Sequence, residues 1–242
     1  MIGSALDPPI TDQAGDIDRI WDLFLYLGLA VVVFVVAIIL YVIIRYRRRD
    51  DQLPRQKHYN IPIEITYTVV PLLVVLVLFA ITVVSINAVE DSDGDPDLIV
   101  DVTAFQWQWS FEYPDAGVAV IGGPGDETPE LVLPANSTVQ FDLRSLDVVH
   151  SFWVTAFRFK RDIIPGSPSS FTVDVGDRVG NYVNAGVCAE YCGLDHAFMR
   201  FGVRVLAPSD FDAWLAEQAA AAGLVEPASG STAAGDDTEG DT

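Results

Sequence analysis

Two uncharged apolar runs, residues 23–44 and 65–89, constrain this chain more than any other feature. Each is long enough to cross a hydrocarbon core, which takes about 20 helical residues. The first contains VVVFVVAIILYVII and the second PLLVVLVLFAITVV. Neither run has a polar stripe, so a pair of core helices in a soluble globule does not account for them. In lipid a backbone must satisfy its own hydrogen bonds, and a helix does so within one segment. Pro71, near the start of the second run, is tolerable in the first turns of a helix or as a kink.

Between the runs lies RYRRRDDQLPRQKH, carrying Arg45, Arg47, Arg48, Arg49, Arg55 and Lys57. A short basic loop stays on the cytoplasmic side. The expectation is a two-span plasma-membrane anchor over residues 23–89, with a cytoplasmic loop at 45–64. Residues 1–22 and everything after 89 then lie outside the cytoplasm. The flank before the first run holds Asp7, Asp12, Asp16 and Asp18 against Arg19 alone, and a stop-transfer cluster follows the run. That pattern does not suit a cleaved signal peptide.

Charge divides along the same line. Residues 1–89 carry a net −1, and residues 90–242 carry a net −19. A surface so acidic repels phosphate and excludes nucleic acid as a partner. Lys57 and Lys160 are the only lysines. Acid-rich, lysine-poor surfaces suit concentrated salt, where self-repulsion is screened within about 3 Å at molar strength. A halophilic source is the expectation.

After an acidic linker at 90–97, the pattern changes to short alternating runs broken by Gly, Pro and Asp. Trp107, Trp109, Phe111 and Tyr113 are expected on one strand face, and Gln106, Gln108, Ser110 and Glu112 on the other. Val139–Phe141–Leu143, Phe171–Val173–Val175 and Phe201–Val203–Val205 repeat the period of two. Residues 98–207 are the size of a small β-sandwich or Greek-key barrel. Residues 208–222 are expected to form a C-terminal helical segment, with the helix running from Asp210 to Ala222 and Ser209 as its N-cap. The acidic tail 223–242 lacks the apolar content to fold.

Cys188 and Cys192 are the only cysteines, and His196 and Met199 follow at spacings of four and three. His150, in DVVHSFW, is the only other histidine after the linker. Thiolates, imidazoles and a thioether form a soft ligand set suited to copper rather than magnesium or calcium. Zinc would use the thiolates and imidazoles but has no use for the methionine. A Cys188–Cys192 disulfide is the competing reading, since an external domain meets oxidising conditions.

The segment CAEYCGLDHAFM is similar to the binuclear copper (CuA) loop, C-x-E-x-C-G-x-x-H-x-x-M, of cytochrome c oxidase subunit II. RSLDVVHSFWV, FKRDIIPG, QWQWSFEY and EITYTVVP extend the resemblance over most of residues 20–206. It implies a two-helix transmembrane hairpin and an all-β cupredoxin-like Greek-key domain. Cys188 and Cys192 would bridge two copper ions, His150 and Met199 would complete one, and His196 and the Glu190 carbonyl the other. The Glu190 carboxylate would help hold magnesium at the junction with the catalytic subunit. Trp107 matches the tryptophan through which electrons arrive, and Glu64 a carboxylate at the mouth of a proton pathway. His58 receives no role. Val187 stands where many relatives carry a polar residue, a change that removes no ligand.

The resemblance further implies an electron-transfer subunit, not catalytic alone, that accepts electrons from cytochrome c or a small blue-copper protein. They would pass to oxidase subunit I, whose haems and CuB reduce oxygen to water with proton translocation. Two other readings stay open: the CuA subunit of a nitric oxide reductase, and a copper-free tethered binding domain with a Cys188–Cys192 disulfide. A quinol oxidase subunit, of the same fold without copper, is disfavoured because every ligand is present.

Overall fold

The computed structural model describes residues 8–48, 57–90, 95–123 and 128–224. Arg49, Arg55 and the tail 225–242 lie outside the described residues. The first helix, α1 (Asp12–Arg45), has 34 residues, a length of roughly 51 Å at 1.5 Å per residue. That exceeds a hydrocarbon core of about 30 Å, so the helix runs well past the membrane. The second, α2 (Ile61–Glu90), has 30 residues and contains Pro71. Along both helices the most apolar stretches are uncovered by the rest of the chain, as lipid-facing or partner-facing surfaces must be.

The start of α1 departs from the expectation drawn from hydropathy: the helix begins 11 residues before the apolar run. Capping and packing explain the difference. Thr11 Oγ1 accepts a hydrogen bond from the Ala14 amide at 3.2 Å, and Asp12 sits at the positive end of the helix dipole. This first turn is docked on the β domain. Ile10, Thr11, Gln13 and Ala14 are buried, and Thr11 forms a β-bridge with Val175. The Gln13 side chain receives the Asp174 amide at 3.0 Å and donates to the Asp174 carboxylate at 2.8 Å. Arg158 reaches back to Asp18 at 2.9 Å.

Ten strands form two five-stranded sheets. The first runs β3 (Val118–Ile121), β2 (Gln108–Tyr113), β1 (Leu98–Phe105), β5 (Ser137–Ser145) and β8 (Ser169–Val175). The second runs β4 (Glu130–Pro134), β10 (Arg200–Leu206), β9 (Gly180–Cys188), β6 (His150–Val154) and β7 (Phe159–Ile163). Pairing is antiparallel except for β1 with β5 and β4 with β10. Parallel neighbours need crossover connections, which here pass between the sheets and give the Greek-key sandwich of a cupredoxin.

Between the sheets lies one aromatic core. The Phe201 ring packs against Phe111 and Phe152 at 5.1 Å and against Trp109 at 5.4 Å, centroid to centroid. Trp109, Phe111 and Tyr113 alternate inward along β2 as the period of two requires. The Tyr113 hydroxyl donates to the Val132 carbonyl and accepts from its amide, tying β2 to β4. Trp107 does not share that strand: it lies in the turn between β1 and β2, because the β1–β2 ladder closes at Phe105 and Gln108.

Helix α3 (Pro208–Ala221) closes the described chain, with Phe211 and Trp214 packed on Tyr113. Its N-cap is Ala207, not Ser209. Pro208 accounts for the shift, since its fixed φ and missing N–H suit the first helical position and place Ser209 inside the helix.

Candidate metal centre

At one end of the sandwich, the last residue of β9 and the loop to β10 fold around a buried pair of sulfurs. Cys188 ends β9 and lies opposite Phe152 of β6. Its amide donates to the Met199 carbonyl at 3.0 Å, so both arms of the loop are pinned at their base. The Ala189 amide donates to the Ser151 carbonyl at 3.0 Å, extending the β6–β9 edge into the loop. His196 sits in a 3-10 turn, His196–Phe198, where the Met199 amide reaches the His196 carbonyl. The short turn brings His196 and Met199 to the same pair of cysteines.

Both cysteines are free thiols, with Sγ atoms 3.8 Å apart. Around Cys188 Sγ lie His150 Nδ1 at 3.8 Å and the Glu190 carbonyl oxygen at 3.2 Å. Around Cys192 Sγ lie His196 Nδ1 at 3.7 Å and Met199 Sδ at 3.7 Å. The ligand atoms of His150, Cys188 and Cys192 all fall within 4.8 Å of one another. The structure therefore brings together Cys188, Cys192, His150, His196 and Met199, the residues singled out in the sequence, and the Glu190 carbonyl. Cys188, Cys192, His150 and Met199 are buried, His196 is half-buried, and the Glu190 side chain is exposed. Two thiols, two imidazole nitrogens, a thioether and a carbonyl oxygen fit copper.

Electrostatics already favour the ligating forms on one side of the pair. Burial pushes the Cys188 thiol up, but hydrogen bonds from His150 and the Ser151 amide outweigh it and hold the thiol below its ordinary range. Burial and the neighbouring Cys188 charge push the Cys192 thiol up. For His150, burial favours the neutral ring, yet Cys188 and Asp147 together raise its affinity for a proton. The Asp147 carboxyl, by contrast, is held low despite partial desolvation, because His150 and two backbone amides donate to it.

Asp147, Gly193 and the hydrogen bonds that Gln106 and Trp107 make to the loop escaped the sequence reading. Asp147 Oδ1 faces His150 Nε2 at 2.9 Å, an arrangement that turns Nδ1 toward the sulfurs. Gln106 Nε2 and Trp107 Nε1 both donate to the Cys192 carbonyl, at 2.6 and 3.2 Å. Gly193 has φ +122, and a Cβ there would stand 3.0 Å from Gln106 Nε2 and 3.1 Å from Trp107 Nε1, so only glycine lets the loop approach this turn. An aspartate three residues before a candidate histidine, and a glycine directly after a candidate cysteine, were the available signals. Glu64 is not part of the cluster. It lies in the first turn of α2, where its carboxylate accepts the Asn60 amide at 2.9 Å and caps the helix.

Comparison with known proteins shows the family. Residues 2–87 match the family described as cytochrome c oxidase subunit II, transmembrane domain, and residues 126–206 match its periplasmic domain. A probable cytochrome c oxidase subunit 2 of Streptomyces avermitilis is 37% identical over 250 residues, covering 87% of this chain and 77% of its own. A counterpart in Rickettsia bellii is 31% identical, with 87% of this chain and 82% of that one covered. Among solved structures, the periplasmic domain of subunit II of the Bradyrhizobium japonicum cytochrome oxidase is 30% identical, spanning 52% of this chain and 96% of that one at a TM-score of 0.47. Matched in both its membrane hairpin and its β domain, this chain belongs to the cytochrome c oxidase subunit II family.

Proposed function

We propose that this chain takes electrons from a small external redox protein and delivers them to the haem centre of subunit I through a binuclear copper (CuA) centre. The observation that carries this reading is the convergence of four donor groups on two sulfurs 3.8 Å apart. Cys188, Cys192, His150, Met199, His196 and the Glu190 carbonyl would hold the two copper ions. When bound, such a pair supplies a one-electron relay whose charge is shared over both metals.

The chain's own residues keep the ligands still, which limits rearrangement on each transfer. Asp147 holds the tautomer and orientation of His150. Gln106 and Trp107 hold the Cys192 carbonyl from the neighbouring turn. Trp109, fully buried, packs 6.3 Å from the His150 ring and donates to the Met199 carbonyl at 3.4 Å. Trp107 is the proposed point of electron arrival: its half-buried indole joins the surface to a ligand backbone through one hydrogen bond.

The remaining assignments rest on the same framework. Two spans joined by a basic loop support a domain held on the outer face of the plasma membrane. The exposed Glu190 carboxylate is free to help bind magnesium at the junction with subunit I, while its carbonyl faces Cys188. Glu64, at the end of α2 far from the β domain, is proposed for the mouth of a proton pathway. Cytochrome c or a small blue-copper protein would serve as donor, and oxygen as final acceptor. A nitric oxide reductase would use the same subunit design, and gas-consumption assays on the purified complex separate the two.

Copper content and the electron paramagnetic resonance spectrum of the purified protein test the proposal. Two coppers per chain sharing one unpaired electron are expected. One copper or none in a folded protein, with Cys188 and Cys192 oxidised to each other, would overturn it in favour of a tethered binding domain.

A further inference from the structure

Where α2 meets the sandwich, Gln13, Val89, Glu90, Gln140, Arg161 and Thr172 line much of a 280 Å³ cavity with mostly polar walls. Arg161 is held imperfectly. Its Nε is buried without a hydrogen-bond partner among the described residues. Its guanidinium lies 5.2 Å from the centroid of the Phe159 ring, and the Glu90 carboxylate stands off at 3.9 Å, beyond hydrogen-bonding distance. A buried guanidinium nitrogen left unpaired is costly, and the feature calls for an acceptor from outside the chain.

Val89 also borders a second space. One to three turns further along the hairpin, α1 and α2 part to leave an apolar groove of 550 Å³, lined by Ile17, Ile20, Phe24 and Ile86 among others. Trp21 flanks it, 65% exposed, at the level where indoles anchor to a membrane interface. Polar cavity and apolar groove thus meet at one residue, the first beside the water-facing domain and the second at the outer end of the hairpin, across the start of the first apolar run. Their combined size falls in the range of small-molecule sites, roughly 300–1,000 Å³.

We propose that groove and cavity together bind one phospholipid from the leaflet on the domain side, with a zwitterionic, amine-bearing headgroup. An acyl chain lies between α1 and α2, the phosphate accepts from Arg161, and the ammonium faces Glu90. One cation and one anion line the cavity, matching both charges of such a headgroup. The lipid would fill the wedge between hairpin and sandwich on the side where Gln13 and Asp174 already join them.

The test is a lipid count on the intact oxidase, purified in mild detergent, with phospholipid classes extracted and quantified by mass spectrometry. The wild-type complex is expected to retain one amine-bearing phospholipid that Arg161→Gln and Ile86→Trp lose. Loss of a charge-assisted hydrogen bond lowers retention in Arg161→Gln about tenfold or more. Arg161→Lys, which keeps the charge, retains the lipid better than Arg161→Gln. Ile86→Trp blocks the groove on an exposed helix face away from the β domain, so its count stands even where an Arg161 variant misfolds. Equal retention in wild type and Ile86→Trp overturns the proposal. So does a wild-type complex with no retained lipid, or one that retains only anionic lipids. Copper content, measured on the same samples, reports separately on the electron route.

Discussion

His150 Nε2 donates to the Asp147 carboxylate across 2.9 Å, and the opposite ring nitrogen stands 3.8 Å from Cys188 Sγ. The same carboxylate receives the Gln106 amide at 2.7 Å. Asp147 therefore couples the orientation of a ligand to the turn that carries Trp107. Asp147→Ala is expected to lower copper affinity roughly 10–100-fold, the usual cost of losing such a partner. Chelator competition on the metal-depleted protein measures it, and an unchanged affinity removes Asp147 from the site.

Copper loading should weaken as pH falls. Binding needs two thiolates and two unprotonated ring nitrogens. Cys188 is held low and is readily deprotonated, but Cys192 is pushed up and keeps its proton. His150 is raised above its ordinary value, so its proton survives to higher pH and competes with metal there. Each displaced proton costs roughly tenfold in apparent affinity per pH unit on the acid side of its titration. Proton release during loading, followed with an indicator dye, checks the count; pH-independent loading would contradict it.

Trp107→Phe keeps an aromatic ring but loses the hydrogen bond to the Cys192 carbonyl. Electron uptake from the donor is expected to fall while the copper spectrum survives, because Gln106 still holds that carbonyl. Stopped-flow reduction of the loaded protein reads the rate. Unchanged uptake would remove Trp107 from the route. Gln106→Ala reverses the pattern, perturbing the spectrum more than the uptake.

Three carboxylates stand in register across the first sheet: Glu112 opposite Asp101, and Asp101 opposite Asp142. Like charges directly opposed on a sheet are destabilising, by roughly 0.2–1 kcal/mol per pair. Asp101→Asn should raise the melting temperature at low ionic strength and change it little in molar salt, where the Debye length is about 3 Å. Thermal unfolding at several salt concentrations decides it. A gain that is the same at all of them would show that charge repulsion is not the cause.

Gly186 lies under the Phe201 ring, where an added Cβ would overlap the aromatic carbons. Gly186→Ala is expected to cost about 1–3 kcal/mol through overpacking. Because β9 leads straight into Cys188, the same change should disturb copper binding. Denaturant unfolding with and without metal tests both effects.

The sequence alone determined those features whose signal is local. Hydrocarbon thickness sets the length of an apolar span, strand geometry sets a period of two, and one loop can present Cys188, Cys192, His196 and Met199 because they lie within twelve residues. The tertiary structure decided what depends on partners far along the chain. The apolar run could not show that α1 starts at Asp12, since that end is held by Asp174, 161 residues from Gln13. Nor could alternation place Trp107, because the turn geometry and the Cys192 carbonyl, 85 residues on, position it rather than a strand face. The β1–β5 and β4–β10 parallel pairings followed from packing two sheets on one aromatic core. Local patterns report what each segment must bury, whereas the choice of neighbour is made only when all segments bury it together.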